Sequence, residues 1–268
     1  MPRSRTQPEV DFDFARYVAT RRGFAERRAR DGAAYAYVGE RRVARSLAAA
    51  RPVTLALEAT GRLWKRVAKE KVLGSAVPVS HEQFPRLWEI TVRCAEVLHI
   101  AVPTVYVAPT LDEESASTLG TDEEAYIVLS AKRIAPLTDD ELAFVIGHEC
   151  GHIHNNHAPF STALHTLTTG TEFYVRWIVQ PAVLALRAWA RRAAITGDRA
   201  GLLCARNLDA AISALRTVAA GHRFLAKRIE ALRLFAGSAY YRSFVGAGEG
   251  GLSAETCDAE VGALLRIF

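Results

Sequence analysis

Two histidines and a glutamate in the middle of the chain have the spacing of a metal-dependent hydrolase. His148 and His152 are four residues apart, so on a helix both imidazoles face the same side, one turn apart. Two neutral imidazole nitrogens in this arrangement can bind one zinc ion, and Glu149 can take a proton from a metal-activated water. The His-Glu-x-x-His pattern therefore predicts a hydrolase with one zinc ion, His148 and His152 as ligands and Glu149 as the general base.

The segment that carries these residues is itself predicted to be a helix. Thr138 and Glu141 have the spacing of a capping box, and Asp139 and Asp140 place negative charge at the positive end of the helix dipole. Apolar residues then recur at helical spacing, which predicts a buried face formed by Leu142, Val145 and Ile146. We therefore expect a helix that begins near residue 138 and positions the pattern.

The segments around this helix predict the fold class. Helical periodicity predicts helices within residues 12–57, at 80–98 and through most of 171–235. Two short runs of β-branched and aromatic residues, 103–108 and 125–130, predict strands separated by a polar, acidic loop. The pattern favours a mostly helical α+β fold with a small antiparallel sheet beside the histidine-bearing helix. Such a sheet either offers an edge to an extended peptide or is a structural hairpin, and the sequence leaves both open.

Composition and cysteine usage narrow the class of protein. With 268 residues, 50% of them hydrophobic and 24% charged, the chain suits one large domain or a domain with an extension. We expect no secretory signal, because the first 30 residues lack an apolar run. The apolar stretch 173–189 contains Arg176, Pro181 and Arg187, which argues against a membrane span but leaves peripheral membrane contact open. Four cysteines without Cys-x-x-Cys spacing favour a reducing, cytoplasmic location.

The net charge of +5 comes largely from arginines in the first 45 residues. Such a run can attract nucleic acid or anionic lipid. Acidic residues and alanines interrupt it, however, and no recognised DNA-binding motif is present. We therefore interpret the run as a solvated helical face and expect no nucleic-acid partner. A basic adaptor at a membrane surface is the weaker alternative.

Three blocks of sequence, in this order, resemble the HtpX-like zinc metallopeptidases, gluzincins related to the CAAX prenyl proteases. The blocks are H-E-C-G-H-I-H-N-N-H from residue 148, D-R-A-G-L-L from residue 198 and H-R-F-L-A-K-R-I-E-A-L from residue 222. The resemblance covers roughly residues 80–235 and implies a gluzincin metallopeptidase core, here similar to a soluble member. With the composition it divides the chain into an N-terminal helical extension, residues 1–79, a catalytic domain, 80–236, and a glycine-rich tail with a short terminal helix, 237–268.

The resemblance also implies roles for residues on two helices. It assigns the first two zinc ligands to His148 and His152 and the general base to Glu149. The family takes its third ligand from a Glu-x-x-x-Asp motif on a later helix, whose Asp matches Asp198. The position of the ligating Glu is Ala194, which cannot bind a metal. We expect Asp198 to hydrogen-bond one of the zinc-binding histidines and the site to bind zinc more weakly than a complete one.

Four further polar residues have weaker assignments. Glu172, on another predicted helix, is a candidate replacement for the third ligand. His222 matches the His of the third block and could stabilise the oxyanion, although a surface His is the alternative. His154 and His157 are interpreted as capping or surface residues, because the third-His spacing of the metzincins falls on Ala158.

Two functions follow from these patterns. The first is a zinc metalloendopeptidase that acts on peptide or protein substrates, inactive in this form if Ala194 prevents zinc binding. The alternative is a pseudopeptidase that keeps the fold and works as a peptide-binding or regulatory module. Retention of Glu149 favours chemistry, whereas Ala194 favours binding. Neither the cleavage specificity nor the oligomeric state is predicted.

Overall fold

The computed structural model describes residues 33–64, 74–111, 115–121, 123–169, 176–221 and 223–266. Glu172 and His222, two of the candidate site residues, lie outside this part of the chain. So do the arginines of the first 32 residues.

Of the described residues, 66% are helical, which confirms the predicted mostly helical α+β class. The helices on the N-terminal side of the metal-binding pattern are α1 Val38–Ala48, α2 Arg51–Leu63, α3 Pro85–Leu98 and α4 Ala131–Ile134. The helix with the pattern is α5 Asp139–His154. It is followed by α6 Ala158–Thr169, α7 Arg176–Ala205, α8 Leu208–Val218, α9 Leu225–Ala236, α10 Ala239–Phe244 and α11 Ala254–Arg266.

Four strands form one mixed sheet in the order β1-β2-β4-β3, where β1 is Val77–Pro78, β2 Thr104–Ala108, β3 Ala116–Gly120 and β4 Ala125–Ser130. The prediction of an antiparallel sheet was wrong for the central pair, because β2 and β4 run parallel. The reason is β3, which lies in the segment predicted to be a loop. It pairs antiparallel with β4 and so reverses the chain once more between the two predicted strands.

The capping box at the start of α5 is present as predicted. The Thr138 backbone N–H donates to Glu141 Oε2 at 2.8 Å, and the Glu141 backbone N–H donates to the Thr138 hydroxyl at 3.4 Å. Glu141 Oε1 also accepts a hydrogen bond from the Ser213 hydroxyl of α8, so the cap is tied to a neighbouring helix. From Leu142 to Gly147 every residue of α5 is buried, which places this helix at the centre of the core.

Glycines allow α5 and α7 to pack very closely. A Cβ on Gly147 would lie 2.6 Å from Cys204 Cβ, and one on Gly151 would lie 2.5 Å from Ala200 Cβ. On the opposing helix, a Cβ on Gly201 would lie 2.6 Å from the Phe144 carbonyl oxygen. Each helix thus carries two glycines four residues apart at the contact, since Gly197 faces the ring of His148. This close approach brings α7 against the metal-binding pattern.

The N-terminal and C-terminal helices also pack on this core. Helices α1 and α2 contact α7, and α11 contacts α9. Asp258 of α11 forms an ion pair with Arg199 of α7 at 2.7 Å and accepts a hydrogen bond from the Val38 backbone N–H at 2.9 Å. The chain division at residues 79/80 and 236/237 stays a prediction. Within the described residues, no helix has the length and apolarity needed to cross a membrane.

Candidate metal centre

Helix α5 directs the two imidazoles of the pattern at each other. His148 Nε2 and His152 Nε2 are 3.1 Å apart. Two nitrogens bound to one tetrahedral zinc ion at about 2.0–2.1 Å would be separated by about 3.3 Å. The observed spacing therefore fits a pair of nitrogens that share one ion. The His148 side chain is 13% exposed, so it is not completely shielded from solvent.

His148 is oriented by a carboxylate from α7. Its Nδ1 lies 3.0 Å from Asp198 Oδ1, and Arg228 of α9 holds both oxygens of Asp198 at 2.6 and 2.8 Å. Burial alone would raise the pKa of Asp198, but the charge and hydrogen bonds of Arg228 hold it below its ordinary value. An ionised Asp198 can only accept a hydrogen bond, so the proton of a neutral His148 lies on Nδ1. The lone pair of His148 is then on Nε2, where a metal can bind it. This contact is the one expected for Asp198.

His152 is backed by a residue that the sequence interpretation placed on the surface. His157 is only 3% exposed, and its Nδ1 lies 2.9 Å from His152 Nδ1. The assignment of His157 as a surface or capping residue was therefore wrong. The reason is the end of α5, where Asn156 takes a φ of 56° and the His157 backbone N–H donates to the His152 carbonyl at 2.9 Å. The chain turns back there and places the ring of His157 beneath that of His152.

The electrostatics of His152 favour a neutral ring. Burial, together with repulsion from His148 and His157 whenever they are protonated and from the guanidinium of Arg228, holds the pKa of His152 well below its ordinary value. Metal binding requires a deprotonated imidazole nitrogen, so a low pKa keeps His152 in the form that a metal needs at neutral pH.

Glu149 is buried beside the two histidines and is held by the edge strand of the sheet. The Thr118 hydroxyl of β3 donates to Glu149 Oε2 at 2.6 Å, and the Glu149 side chain has little exposed surface. Burial raises the pKa of Glu149, although the charge of His148 and the Thr118 hydrogen bond partly oppose this. A raised pKa suits a carboxylate that accepts a proton near neutral pH. Thr118 lies in the segment predicted to be a loop, so this contact was not predicted.

The third protein ligand of a complete zinc site is missing from the described part of the chain. No group of three His, Cys, Asp or Glu side chains there is close enough to hold a metal ion. Ala194 lies on α7, one turn before Asp198, and its methyl group cannot coordinate. Glu172 and His222 stay predictions, because they lie outside the described residues. Within the described residues, His148 and His152 therefore fill two of the four coordination positions of a tetrahedral zinc ion.

Comparison with known proteins identifies the family. The model of peptidase family M48 matches residues 81–241, which contain α5, α7 and α9, the three residues of the pattern, and Asp198. The chain belongs to peptidase family M48. In this M48 chain, the family-matched region begins after α1 and α2.

Curated relatives agree with this M48 assignment and with the HtpX-like resemblance. The chain is 29% identical over 164 residues to plastoglobule-localized metallopeptidase 48 of Arabidopsis thaliana, covering 60% of this chain and 48% of the relative. It is 29% identical over 103 residues to an HtpX protease homologue of Trichormus variabilis, covering 38% and 36%. With the homologue of Lactiplantibacillus plantarum the identity is 31% over 96 residues, covering 35% and 31%. The M48 chain thus spans half or less of these relatives' length. No solved structure matches it.

Proposed function

We propose that this chain is an HtpX-like metallopeptidase unit that hydrolyses peptide bonds with one zinc ion, held by His148 and His152, and with Glu149 as the general base. The observation that carries the proposal is the pair of Nε2 atoms 3.1 Å apart, beside a buried carboxylate, in an M48 chain. Peptide or protein substrates follow from the same family membership.

The residues of the site have separable tasks. When bound, zinc would lower the pKa of a water molecule and polarise a peptide carbonyl. Thr118 holds Glu149 Oε2, so the other carboxylate oxygen is the one that would accept the proton and pass it to the leaving amine. Asp198 contacts Nδ1 of His148 and so would leave its Nε2 available to hold the ion. His222 remains the candidate to stabilise the oxyanion, as the family resemblance implies.

The edge strand suggests how a substrate would approach. In β3 the backbone of Ser117 pairs with β4, whereas Ala116 and Thr118 direct their peptide groups to the other side of the strand. An extended peptide paired along Ala116 would lie beside the Thr118–Glu149 contact. At the far end of the strand, both outward-facing backbone groups of Gly120 are already paired. Its N–H donates to the Thr162 hydroxyl of α6 at 2.7 Å, and that hydroxyl donates to the Gly120 carbonyl at 2.8 Å. The peptide is therefore proposed to enter from the Ala116 end.

A pseudopeptidase is the second candidate, because Ala194 stands where the family has its third ligand. Such a protein would keep the β3 edge as a peptide-binding surface and perform no hydrolysis. The two candidates differ in one prediction: a peptidase needs the zinc-binding pair for any effect on a substrate, whereas a binding module does not.

Zinc content and casein hydrolysis separate the two candidates. We expect the wild-type chain to bind zinc weakly and Ala194→Glu to bind it more tightly and cleave faster. Glu149→Gln in the Ala194→Glu background is the matched control, because it keeps the ligands and should lose about 10²–10⁴-fold in rate. If Ala194→Glu gains neither zinc nor activity, the peptidase proposal loses its support. Peptide binding that survives His148→Ala would then favour the pseudopeptidase.

A cytoplasmic location and peripheral membrane contact stay predictions from the sequence. Co-sedimentation with anionic vesicles at low salt tests the second of these. Binding that disappears as the ionic strength rises would support electrostatic contact through the arginines, and absence of binding at low salt would end the adaptor alternative.

A further inference from the structure

A chain of polar contacts runs from His152 into the interior, on the side away from His148. It begins with the 2.9 Å contact between the Nδ1 atoms of His152 and His157. His157 Nε2 in turn lies 3.3 Å from Glu40 Oε1, and the same oxygen accepts a hydrogen bond from Trp189 Nε1 at 3.0 Å. Glu40 is 2% exposed and His157 3%. A carboxyl and an imidazole buried together require partners that fix their hydrogens.

The hydrogen-bond donors in this series of contacts can be assigned by starting from Glu40. An indole N–H can only donate, and a carboxylate can only accept. The ring hydrogen of His157 Nε2 is not aligned with Oε1, so their contact is electrostatic rather than a well-formed hydrogen bond. A carboxylate at 3.3 Å in a buried site nevertheless repels a nitrogen lone pair and attracts an N–H. The proton of a neutral His157 therefore belongs on Nε2.

This assignment determines which nitrogen of His152 is available to a metal. A neutral imidazole carries one N–H and one lone pair. With its proton on Nε2, His157 presents a lone pair at Nδ1, and His152 must donate from Nδ1 across the 2.9 Å contact. The lone pair of His152 is then on Nε2, the atom that lies 3.1 Å from His148 Nε2. Two lone pairs facing each other at that distance favour a cation between them.

We propose that Glu40 is a positioning residue of the metal centre: acting through His157, it holds His152 with Nε2 unprotonated and directed toward the ion. The inference rests on the proposed function and deepens it. Glu40 lies on α1, outside residues 81–241 that match the family model. The N-terminal helical segment is thus part of the metal centre of this chain, and not only a cover for its core.

The tautomers of the histidines test the proposal without any metal. Long-range proton–nitrogen NMR correlations distinguish protonated from unprotonated ring nitrogens in the metal-free, full-length chain. We expect the proton of His157 on Nε2 and that of His152 on Nδ1. In Glu40→Leu, which has no acceptor, nothing holds the proton of His157 on Nε2, and the tautomer of His152 is disturbed. Glu58→Leu, on the exposed face of α2, is the control and should leave both rings unchanged.

Zinc affinity, measured by competition with a chromogenic chelator, gives the second readout. Loss of a hydrogen-bonded partner of a metal-binding histidine typically lowers affinity about 10–100-fold, and we expect Glu40→Leu and His157→Leu to fall in this range. His157→Asn should retain most of the affinity, because its amide oxygen can accept from His152 Nδ1 in place of the imidazole nitrogen. A role confined to packing would not produce this difference between Asn and Leu.

The outcomes separate this inference from the proposed function. If His152 carries its proton on Nε2 in the wild-type chain, or if Glu40→Leu changes neither the tautomers nor the zinc affinity, the role of Glu40 is overturned. If the wild-type chain takes up no zinc, the proposed function fails on that result. The tautomers of the metal-free protein still decide whether Glu40 orients His152, and His157→Leu is not needed for that decision if it fails to fold.

Discussion

The two imidazoles of the metal centre are oriented by different means. His148 contacts a carboxylate directly, and Arg228 holds both oxygens of that Asp198 carboxylate. His152 contacts another imidazole, and only through it a carboxylate, that of Glu40. The first arrangement is a charged cluster from α5, α7 and α9. The second reaches from α5 to α1 and contains a single charge.

Both histidines need an unprotonated Nε2 to bind a metal. Residues inside the family-matched region 81–241 orient His148, whereas His152 depends on a residue outside it. Asp198 and Arg228 lie within residues 81–241, whereas Glu40 lies before them. Both arrangements leave a lone pair on Nε2, but the Asp198 side also contains a buried ion pair. Breaking a buried ion pair is costly, since it leaves one charge without a partner. The two sides should therefore respond very differently to the loss of their carboxylates.

Removal of the carboxylate should be most damaging on the His148 side. Asp198→Ala removes the partner of the Arg228 guanidinium. The Arg228 side chain is only 16% exposed and that of Asp198 2%, so the remaining charge would be largely buried. We expect the free energy of unfolding to fall by about 3–5 kcal/mol. Glu40→Ala leaves only the indole N–H of Trp189 and one imidazole N–H unpaired, so about 1–3 kcal/mol is expected. Urea denaturation of the metal-free proteins measures both values.

The double variant Asp198→Ala with Arg228→Met provides the control for this comparison. It removes both charges and should recover most of the stability lost in Asp198→Ala, because no unpaired charge remains. Equal losses for Asp198→Ala and Glu40→Ala would contradict the distinction between the charged cluster around His148 and the His152–His157–Glu40 contacts.

The spacing of α5 and α7 should affect the His148 side selectively. In Gly147→Ala the new methyl group would lie 2.6 Å from Cys204 Cβ and 2.7 Å from its Sγ, so the helices must separate. We expect a loss of about 1–3 kcal/mol in stability from overpacking. Zinc affinity should fall as Asp198 withdraws from His148, while the tautomer of His157 stays unchanged.

Gly61→Ala is the matched control for the substitution in α5. Gly61 is also a helical glycine, but a Cβ built on it has no atom within 4 Å. A glycine-to-alanine change in a helix without steric conflict should stabilise the protein by about 0.5–1 kcal/mol. If Gly147→Ala behaved like Gly61→Ala in thermal unfolding, the close approach of α5 and α7 would not be needed at this position.

The Asp198–Arg228 ion pair should also make the stability of the protein depend on pH. The pKa of Asp198 is lower in the folded than in the unfolded chain, so the folded state binds fewer protons in the interval between the two values. The stabilisation is complete above the unfolded pKa of about 4 and is lost as the pH falls through the folded value. Asp198→Asn should therefore lose stability less steeply than the wild type in acid. Equal acid slopes in urea titrations would show that the ion pair contributes nothing.

Much of the metal-binding helix could be predicted because its signals are local. The capping box, the buried apolar run and the spacing of His148 and His152 all lie within one helix and require no knowledge of distant partners. The contact of Asp198 was expected from the family resemblance. The close packing of α5 and α7 that permits this contact also had a signal in the sequence. Each helix has two glycines four residues apart, Gly147 and Gly151 on α5 and Gly197 and Gly201 on α7.

The parts that failed depend on partners far along the chain. The A-S-T-L-G segment has little strand preference of its own, and β3 forms because β4 supplies its hydrogen bonds. Without β3, the parallel pairing of β2 and β4 could not be predicted. His157 was assigned to the surface because its burial depends on Glu40 and Trp189, which lie on α1 and α7. The one local signal was the Asn156 that precedes it, since Asn adopts the left-handed conformation more readily than most residues.

The smallest expected loss of stability is at Trp189, at the far end of the His152–His157–Glu40 contacts. Trp189→Phe keeps an aromatic ring against His157 and Phe160 but removes the N–H that donates to Glu40. Loss of this hydrogen bond should cost about 1 kcal/mol in stability. Zinc affinity should fall less than in Glu40→Leu, because the carboxylate still faces His157 Nε2. Trp88→Phe on α3 is the control and should leave zinc affinity unchanged. A larger loss of zinc affinity in Trp189→Phe than in Glu40→Leu would mean that the indole, and not the carboxylate, sets the position of His157.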